Sequence, residues 1–229
     1  MDTVIYNVKS DKISKGKRIV LLSDLHNEPY DQIIEKTKKA KPDAIMVAGD
    51  LVNRHNKTYD RVLSFFEQLS KISKTYFSYG NHEIIFNVLT KEEIEATGAI
   101  LLDNEYTKYG DEFIIGGQTP YADFDWLTDF EHQKGFKILL CHHPEYYPRY
   151  LKYKKVDLIL SGHAHGGQMR PFGIALFAPG QGFFPEYTFG YYDEKMIVGR
   201  GLAHGGLIPR MFNSTEVVVV DIGQQNQVL

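Results

Sequence analysis

Imidazole, carboxylate and carboxamide side chains recur in short clusters along this chain, most of them marked by glycine. Asp24 and His26 stand two residues apart. Asp50 follows Gly49, and Asn81, His82 and Glu83 follow Gly80. His142 and His143 precede Pro144, and His163 and His165 lie in the run Gly162-His-Ala-His-Gly-Gly. Each cluster has an ordinary explanation: an Asp after a strand is often a turn residue or cap, and Gly-Asp is common. Two histidines flanked by glycines are more informative, because a loop bent away from extended geometry can bring both imidazoles to one point. The chemistry that unites the clusters is metal binding. Imidazole and carboxylate with no thiolate but Cys141 form a mixed N/O set, suited to Mn²⁺ first and to Fe or Zn²⁺ as alternatives. Ca²⁺, which takes oxygen ligands, and a cysteine-type structural zinc fit it less well. One ion needs about four to six such ligands. Asp24, His26, Asp50, Asn81, His142, His163 and His165 make seven candidates, which favours two ions sharing a carboxylate. Paired ions about 3.5–4 Å apart clamp the attacking and leaving oxygens of an in-line displacement.

The elements that must position these residues are short buried runs. RIVLLS (Arg18–Ser23), AIMVA (Ala44–Ala48), KTYFSY (Lys74–Tyr79), FKILLC (Phe136–Cys141) and VDLILS (Val156–Ser161) each lead directly into one cluster. Largely apolar runs of this length predict strands buried on both faces. Ligands of open α/β sheets collect beyond the carboxyl ends of strands. Further strands are predicted at Ala99–Leu102, Glu112–Ile115, Lys195–Val198 and Glu216–Ile222. Helices are predicted at Tyr30–Lys41, Thr58–Ile72 and Thr90–Thr97, the last opening on a Thr90/Glu93 capping box. Later the helices thin out, and Glu105–Gly117 and Glu186–Arg200 read as hairpins, the second turning near Tyr192–Lys195. The alternation predicts an α/β sandwich with mixed sheets, without repeat or linker, as a single domain over residues 1–229.

As an ordered set, the five clusters resemble the calcineurin-like metallophosphoesterase family, from about Ser23 to Gln168. The resemblance implies a four-layer α/β/β/α sandwich with two mixed sheets. It implies that Asp24, His26 and His165 hold one metal, that Asn81, His142 and His163 hold the other, and that Asp50 bridges them. His82 would give a proton to the leaving oxygen or orient the phosphate. Glu83 would either hydrogen-bond a neighbour of the site or serve as a helix N-terminal acid. The implied reaction is hydrolysis of a phosphomonoester, phosphodiester or pyrophosphate by metal-bound hydroxide, with a general acid adding roughly 10²–10⁴ in rate. A finer likeness runs through Gly162–Gln168, Arg170-Pro171, Gly201, Gly205-Gly206 and Pro209-Arg210. It is to a bacterial branch that includes membrane-associated phosphoesterases and hydrolases of lipid precursors such as UDP-diacylglucosamine. Many members of that branch carry an N-terminal anchor or twin-arginine signal, and neither is found here.

The remaining features bound the reading. Asn27, Arg54 and His143 adjoin the clusters and are candidates for substrate contact, Arg54 because a guanidinium suits a phosphate oxygen. His55 and His204 are weaker candidates, His132 reads as a surface histidine, and Phe183–Tyr187 as core or as the wall of a mouth. The chain of 229 residues has 43% hydrophobic side chains and a net charge of −3, ordinary for a globular protein. That charge gives no support to nucleic-acid binding. One cysteine excludes an internal disulfide and fits a reducing compartment. With no signal peptide and no membrane-length apolar run, the expected location is cytoplasmic, with peripheral membrane contact still open. The expected partner is a small phosphate compound: a nucleotide, a sugar nucleotide or a lipid precursor. Two alternatives use the same residues: a catalytically inactive binding scaffold of this fold, and a nuclease, which would need a basic groove.

Overall fold

The structure is a computed structural model that describes residues 1–53, 58–203 and 209–224. In chain order its first strands and helices are β1 (Asp2–Lys9), β2 (Lys17–Leu22), α1 (Asp31–Ala40), β3 (Ala44–Ala48), α2 (Asp60–Ile72) and β4 (Lys74–Ser78). Then come α3 (Asn81–Phe86), α4 (Lys91–Ala96), β5 (Ile100–Leu101), β6 (Glu105–Tyr109), β7 (Phe113–Gln118), α5 (Leu127–His132) and β8 (Phe136–Cys141). The chain continues through β9 (Leu158–Ser161), a small hairpin of β10 (Phe177–Ala178) and β11 (Gly182–Phe183), β12 (Gly190–Tyr192), β13 (Met196–Val198) and β14 (Glu216–Gly223).

Two six-stranded sheets form, in the orders β1-β14-β2-β3-β4-β5 and β12-β13-β9-β8-β7-β6. Both are mixed. The first is parallel except where β14 meets β2. The second is parallel through β13-β9-β8-β7 and antiparallel at its two outer pairs. Strand alternation shows why they stack. In β3, Ala44, Met46 and Ala48 face the second sheet, while Ile45 and Val47 face the helices. In β8, Phe136, Ile138 and Leu140 face the first sheet, while Leu139 and Cys141 face outward. Every side of these strands is buried, so their sequences are nearly continuous apolar runs.

α1, α2 and α4 cover the outer face of the first sheet through Ile33, Phe65, Phe66, Leu69 and Ile94. α5 and the turns at Tyr147–Leu151 cover the second through Leu127, Phe130, Tyr147 and Leu151. The result is the four-layer α/β/β/α sandwich. Among the described residues no helix is long and apolar enough to cross a membrane.

Most expected elements form within a residue or two of their predicted ends. Among the described residues, β1, α3, α5 and the small hairpin of β10 and β11 are not predicted from the sequence. In β1, DTVIYNVK does alternate as an edge strand exposed on one face should; it pairs parallel to β14. α3 and α5 have six residues each, too few for a helical period to show. The capping box at α4 is present: Thr90 Oγ1 accepts the Glu93 N–H at 3.3 Å, and Glu93 Oε2 accepts the Thr90 N–H at 2.8 Å. Thr90→Ala is expected to cost about 1 kcal/mol, read as a lower urea midpoint with an unchanged m-value.

Candidate metal centre

β2, β3 and β4 are parallel neighbours in one sheet, and β8 and β9 in the other. Their carboxyl ends lie on one edge of the sandwich, which brings the five clusters together. Backbone bonds lace the loops: Asp24 N–H donates to Gly49 O at 2.9 Å, His26 N–H to Asp50 O at 3.1 Å, and Gly162 N–H to His142 O at 3.1 Å. Glycines let the loops close. A Cβ on Gly80 would collide with Asp50, and one on Gly162 would stand 2.5 Å from Asp24 Oδ2.

Five of the seven ligand candidates have left-handed backbone: Asp24 (φ 56°), His26 (47°), Asp50 (56°), His163 (65°) and His165 (48°). Outside glycine such conformations cost of order 1–3 kcal/mol each and persist only where surrounding bonds enforce them. His163 stands with His142 and His143, and His165, two residues on, with Asp24 and His26.

The donor atoms of Asp24, His26 and His165 lie within 4.8 Å of one another. So do those of His142, His143 and His163, of Asp24, Asp50 and His142, and of His26, Asp50 and His82. Asp50 therefore adjoins both halves. His26 Nδ1 donates to Val52 O at 3.2 Å, which leaves Nε2 as a lone-pair donor. That Nε2 lies 3.3 Å from His165 Nε2, a spacing at which two imidazole nitrogens share a proton or a cation. His142 Nδ1 donates to Ala48 O at 2.6 Å. Its Nε2 lies 3.2 Å from Asp50 Oδ2, yet it is a buried polar atom without a hydrogen-bond partner. An orphaned buried imidazole nitrogen among carboxylates fits a divalent ion.

The electrostatics divide the histidines. Burial draws the His142 imidazole down, but Asp50 overrides it and holds it up at about 10. Asp50, though burial opposes it, is pressed well below the ordinary carboxylate range by His142. Burial lowers His165 to about 4 and His163 well below its usual value. His163 and His165, neutral beside an ionised carboxylate, are in the form in which a divalent ion is bound, whereas His142, charged against Asp50, would give up its proton to such an ion.

The calcineurin-like phosphoesterase model matches residues 17–167. This chain belongs to the calcineurin-like phosphoesterase family. An uncharacterised metallophosphoesterase of Helicobacter pylori (strain 26695) is 26% identical over 95% of the chain, and one of Campylobacter jejuni is 29% identical over 94%. The chain spans 62% of the length of each. The crystal structure of TT1561 of Thermus thermophilus is similar in fold, with TM-score 0.50, 15% identity and coverage of 65% of this chain and 82% of that one.

His82 stands beside the cluster. Its Nδ1 donates to Val52 O at 2.9 Å, and its Nε2 is 3.8 Å from Asp50 Oδ2. Asn81 Oδ1 is 3.2 Å from His143 Nε2, so His143 lies within the cluster rather than at its rim. Asn27 adjoins His26, with its Oδ1 buried and unpartnered and its carbonyl bound by Arg61. Arg54, His55 and His204 lie outside the described residues. His132 is exposed and turned to its own helix, as expected. Phe183 and Phe184 are not core; they are 79% and 72% exposed.

Glu83 combines its two expected roles. It opens α3, and its two oxygens accept four backbone N–H groups: Gly80 (2.8 Å), Asp50 (2.9 Å), Leu51 (2.8 Å) and Val52 (3.2 Å). Burial and then the charge of Asp50 push its carboxyl up, and the amides of Gly80 and Asp50 pull it back. Two residues escape the sequence reading. Asn213 donates to His165 O at 2.7 Å and Gln168 O at 3.0 Å, and so holds the histidine loop from the far end of the chain. No local signal marks it. Glu145, in the run His-His-Pro-Glu, contacts two site histidines; its proximity to that motif is the available signal.

Proposed function

We propose that this chain is a metal-dependent phosphoric ester hydrolase that holds two divalent ions in a single domain. Asp24, His26 and His165 would hold one, Asn81, His142 and His163 the other, with Asp50 between them. The observation that carries the reading is the convergence of these side chains from five strand ends on one edge, with His142 Nε2 3.2 Å from Asp50 Oδ2 but without an aligned hydrogen bond. When bound, such ions supply Lewis acidity toward the phosphoryl group and acidify water. Mn²⁺ is the first choice and Fe or Zn²⁺ the alternatives; ligand type selects the class rather than the metal.

His82 is the proposed proton donor. The Val52 carbonyl holds its Nδ1–H, so a proton on Nε2 faces the cluster and can pass to a leaving alkoxide oxygen. Asn27 and Arg54 are proposed to contact the substrate. The substrate is a phosphomonoester, phosphodiester or pyrophosphate of a small compound. The buried, unpaired Cys141 fits the cytoplasmic reading.

A lipid-linked phosphate is favoured over a soluble nucleotide by one feature. Phe172, Phe183, Phe184 and Phe212 are 72–101% exposed; Phe172 and Phe212 lie on segments joined by the Met169–Met211 bridge, and Phe183 and Phe184 at the hairpin of β10 and β11 that follows. Phe172, Phe184 and Phe212 are also held in left-handed backbone. Exposed aromatic rims of this kind mark interaction surfaces, consistent with peripheral membrane contact.

The test begins with elemental analysis of the purified protein. Hydrolysis of an aryl phosphate with Mn²⁺ follows, then a panel of nucleotides, sugar nucleotides, cyclic dinucleotides and phospholipids. His82→Ala is expected to lower kcat by about 10²–10⁴ with unchanged metal content. Wild-type turnover in His82→Ala would remove its role. No turnover on any substrate with metals loaded would favour the inactive scaffold.

A further inference from the structure

Glu145 sits on the turn that follows β8, at Pro144–Tyr146. Its Oε1 is 3.0 Å from His143 Nδ1 and 3.7 Å from His163 Nε2. The His143 and His163 rings stack at 4.1 Å and 11°, so one carboxylate oxygen meets the edges of two parallel imidazoles. At the far edge of His143, Nε2 lies 3.2 Å from the atom assigned as Asn81 Oδ1. Gly180 leaves room for this carboxylate: any Cβ there would collide with Glu145 Oε1.

We propose that Glu145 is a positioning residue for one half of the metal cluster, acting on His163 directly and on Asn81 through His143. The proposal rests on the two-metal reading above. A carboxylate that accepts the Nδ1 proton of His143 fixes that ring as the tautomer with a lone pair on Nε2. A lone pair there calls for a donor. Of the two ends of the Asn81 amide, only the NH₂ can donate, and which end faces His143 is an assignment set by the hydrogen-bond network. With the NH₂ turned to His143, the amide oxygen turns to the cluster, where a divalent ion needs an oxygen. The same Glu145 oxygen faces Nε2 of His163 and leaves Nδ1 of that ring for the ion. The sequence Glu145–His143–Asn81 thus decides whether the carboxamide offers an oxygen or a nitrogen.

The test is Mn²⁺ titration of the full chain by calorimetry, with thermal unfolding of each metal-free variant as the check on folding. Wild type is expected to bind two ions. Glu145→Leu is expected to weaken one site by about 10–100-fold and leave the other nearly unchanged. Glu145→Gln, which retains an oxygen for the His143 proton, should keep most of the affinity. His143→Phe, which preserves the stack on His163, should weaken the same site. The double variant should be no worse than the worse single, because residues acting in series are not additive. Two intact sites in Glu145→Leu, or losses that simply add in the double variant, overturn the proposal. Should Glu145→Leu fail to fold, His143→Phe beside Glu145→Gln carries the test: an intact weak site in the first or its loss in the second overturns it. Fewer than two ions in wild type would instead overturn the two-metal reading, a separate outcome.

Discussion

Asp50→Asn is expected to abolish Mn²⁺-dependent phosphate ester hydrolysis while the chain stays folded. The Asp50 carboxylate faces two other residues of the site, His82 and His142. Its Oδ1 accepts the His82 backbone N–H at 2.9 Å, and its Oδ2 lies 3.2 Å from His142 Nε2 and 3.8 Å from His82 Nε2. The carboxamide is almost the same shape, so packing is conserved. It loses the negative charge and one of two acceptor oxygens, and with them the bridging role proposed for Asp50. It also removes the main charge that holds His142 up at about 10, leaving Asp24 and the Ala48 carbonyl to oppose burial. The check is a pair of measurements on one preparation: ions bound per chain, expected to fall from two, and turnover of an aryl phosphate, expected to be undetectable. Undiminished turnover would remove Asp50 from the centre.

The second large effect concerns folding rather than chemistry. Glu83→Ala is expected to destabilise the protein by roughly 4 kcal/mol or more, since four buried N–H donors lose their acceptor at about 1–3 kcal/mol each before water enters. Glu83→Gln should also be costly, about 2 kcal/mol, because its NH₂ end meets donors where an oxygen stood. Urea denaturation without added metal isolates this from any effect on ion binding. A change below about 1 kcal/mol in Glu83→Ala, the lower bound for a single lost acceptor, would show that the loops after β3 and β4 hold their shape without it.

Much of this is legible in the sequence for definite reasons. The central strands are buried on both faces, so their apolar runs stand out, and the chemistry begins where each run stops. Glu105–Gly117 and the hairpin of β12 and β13 show themselves by their turns. What cannot be read is non-local or conformational. Asn213 and Glu145 reach the histidines across the fold. The left-handed backbone at Asp24, His26, Asp50, His163 and His165 has no residue-type signature, because none of these is glycine. The exposure of Phe183 and Phe184 runs against the general tendency of aromatic residues, and composition alone does not reveal it.

One carbonyl group gathers several of these threads. The oxygen of Val52 accepts from both His26 and His82, and the Val52 amide is itself held by Glu83. A carbonyl has two lone pairs in a fixed plane, so the tilt of that single peptide sets the planes of both rings. The group proposed to grip an ion and the group proposed to deliver a proton are therefore geared to one axle. A disturbance of the loop after Asp50 does not wear away one function and spare the other. It disengages both together, and variants there would show the two losses in proportion.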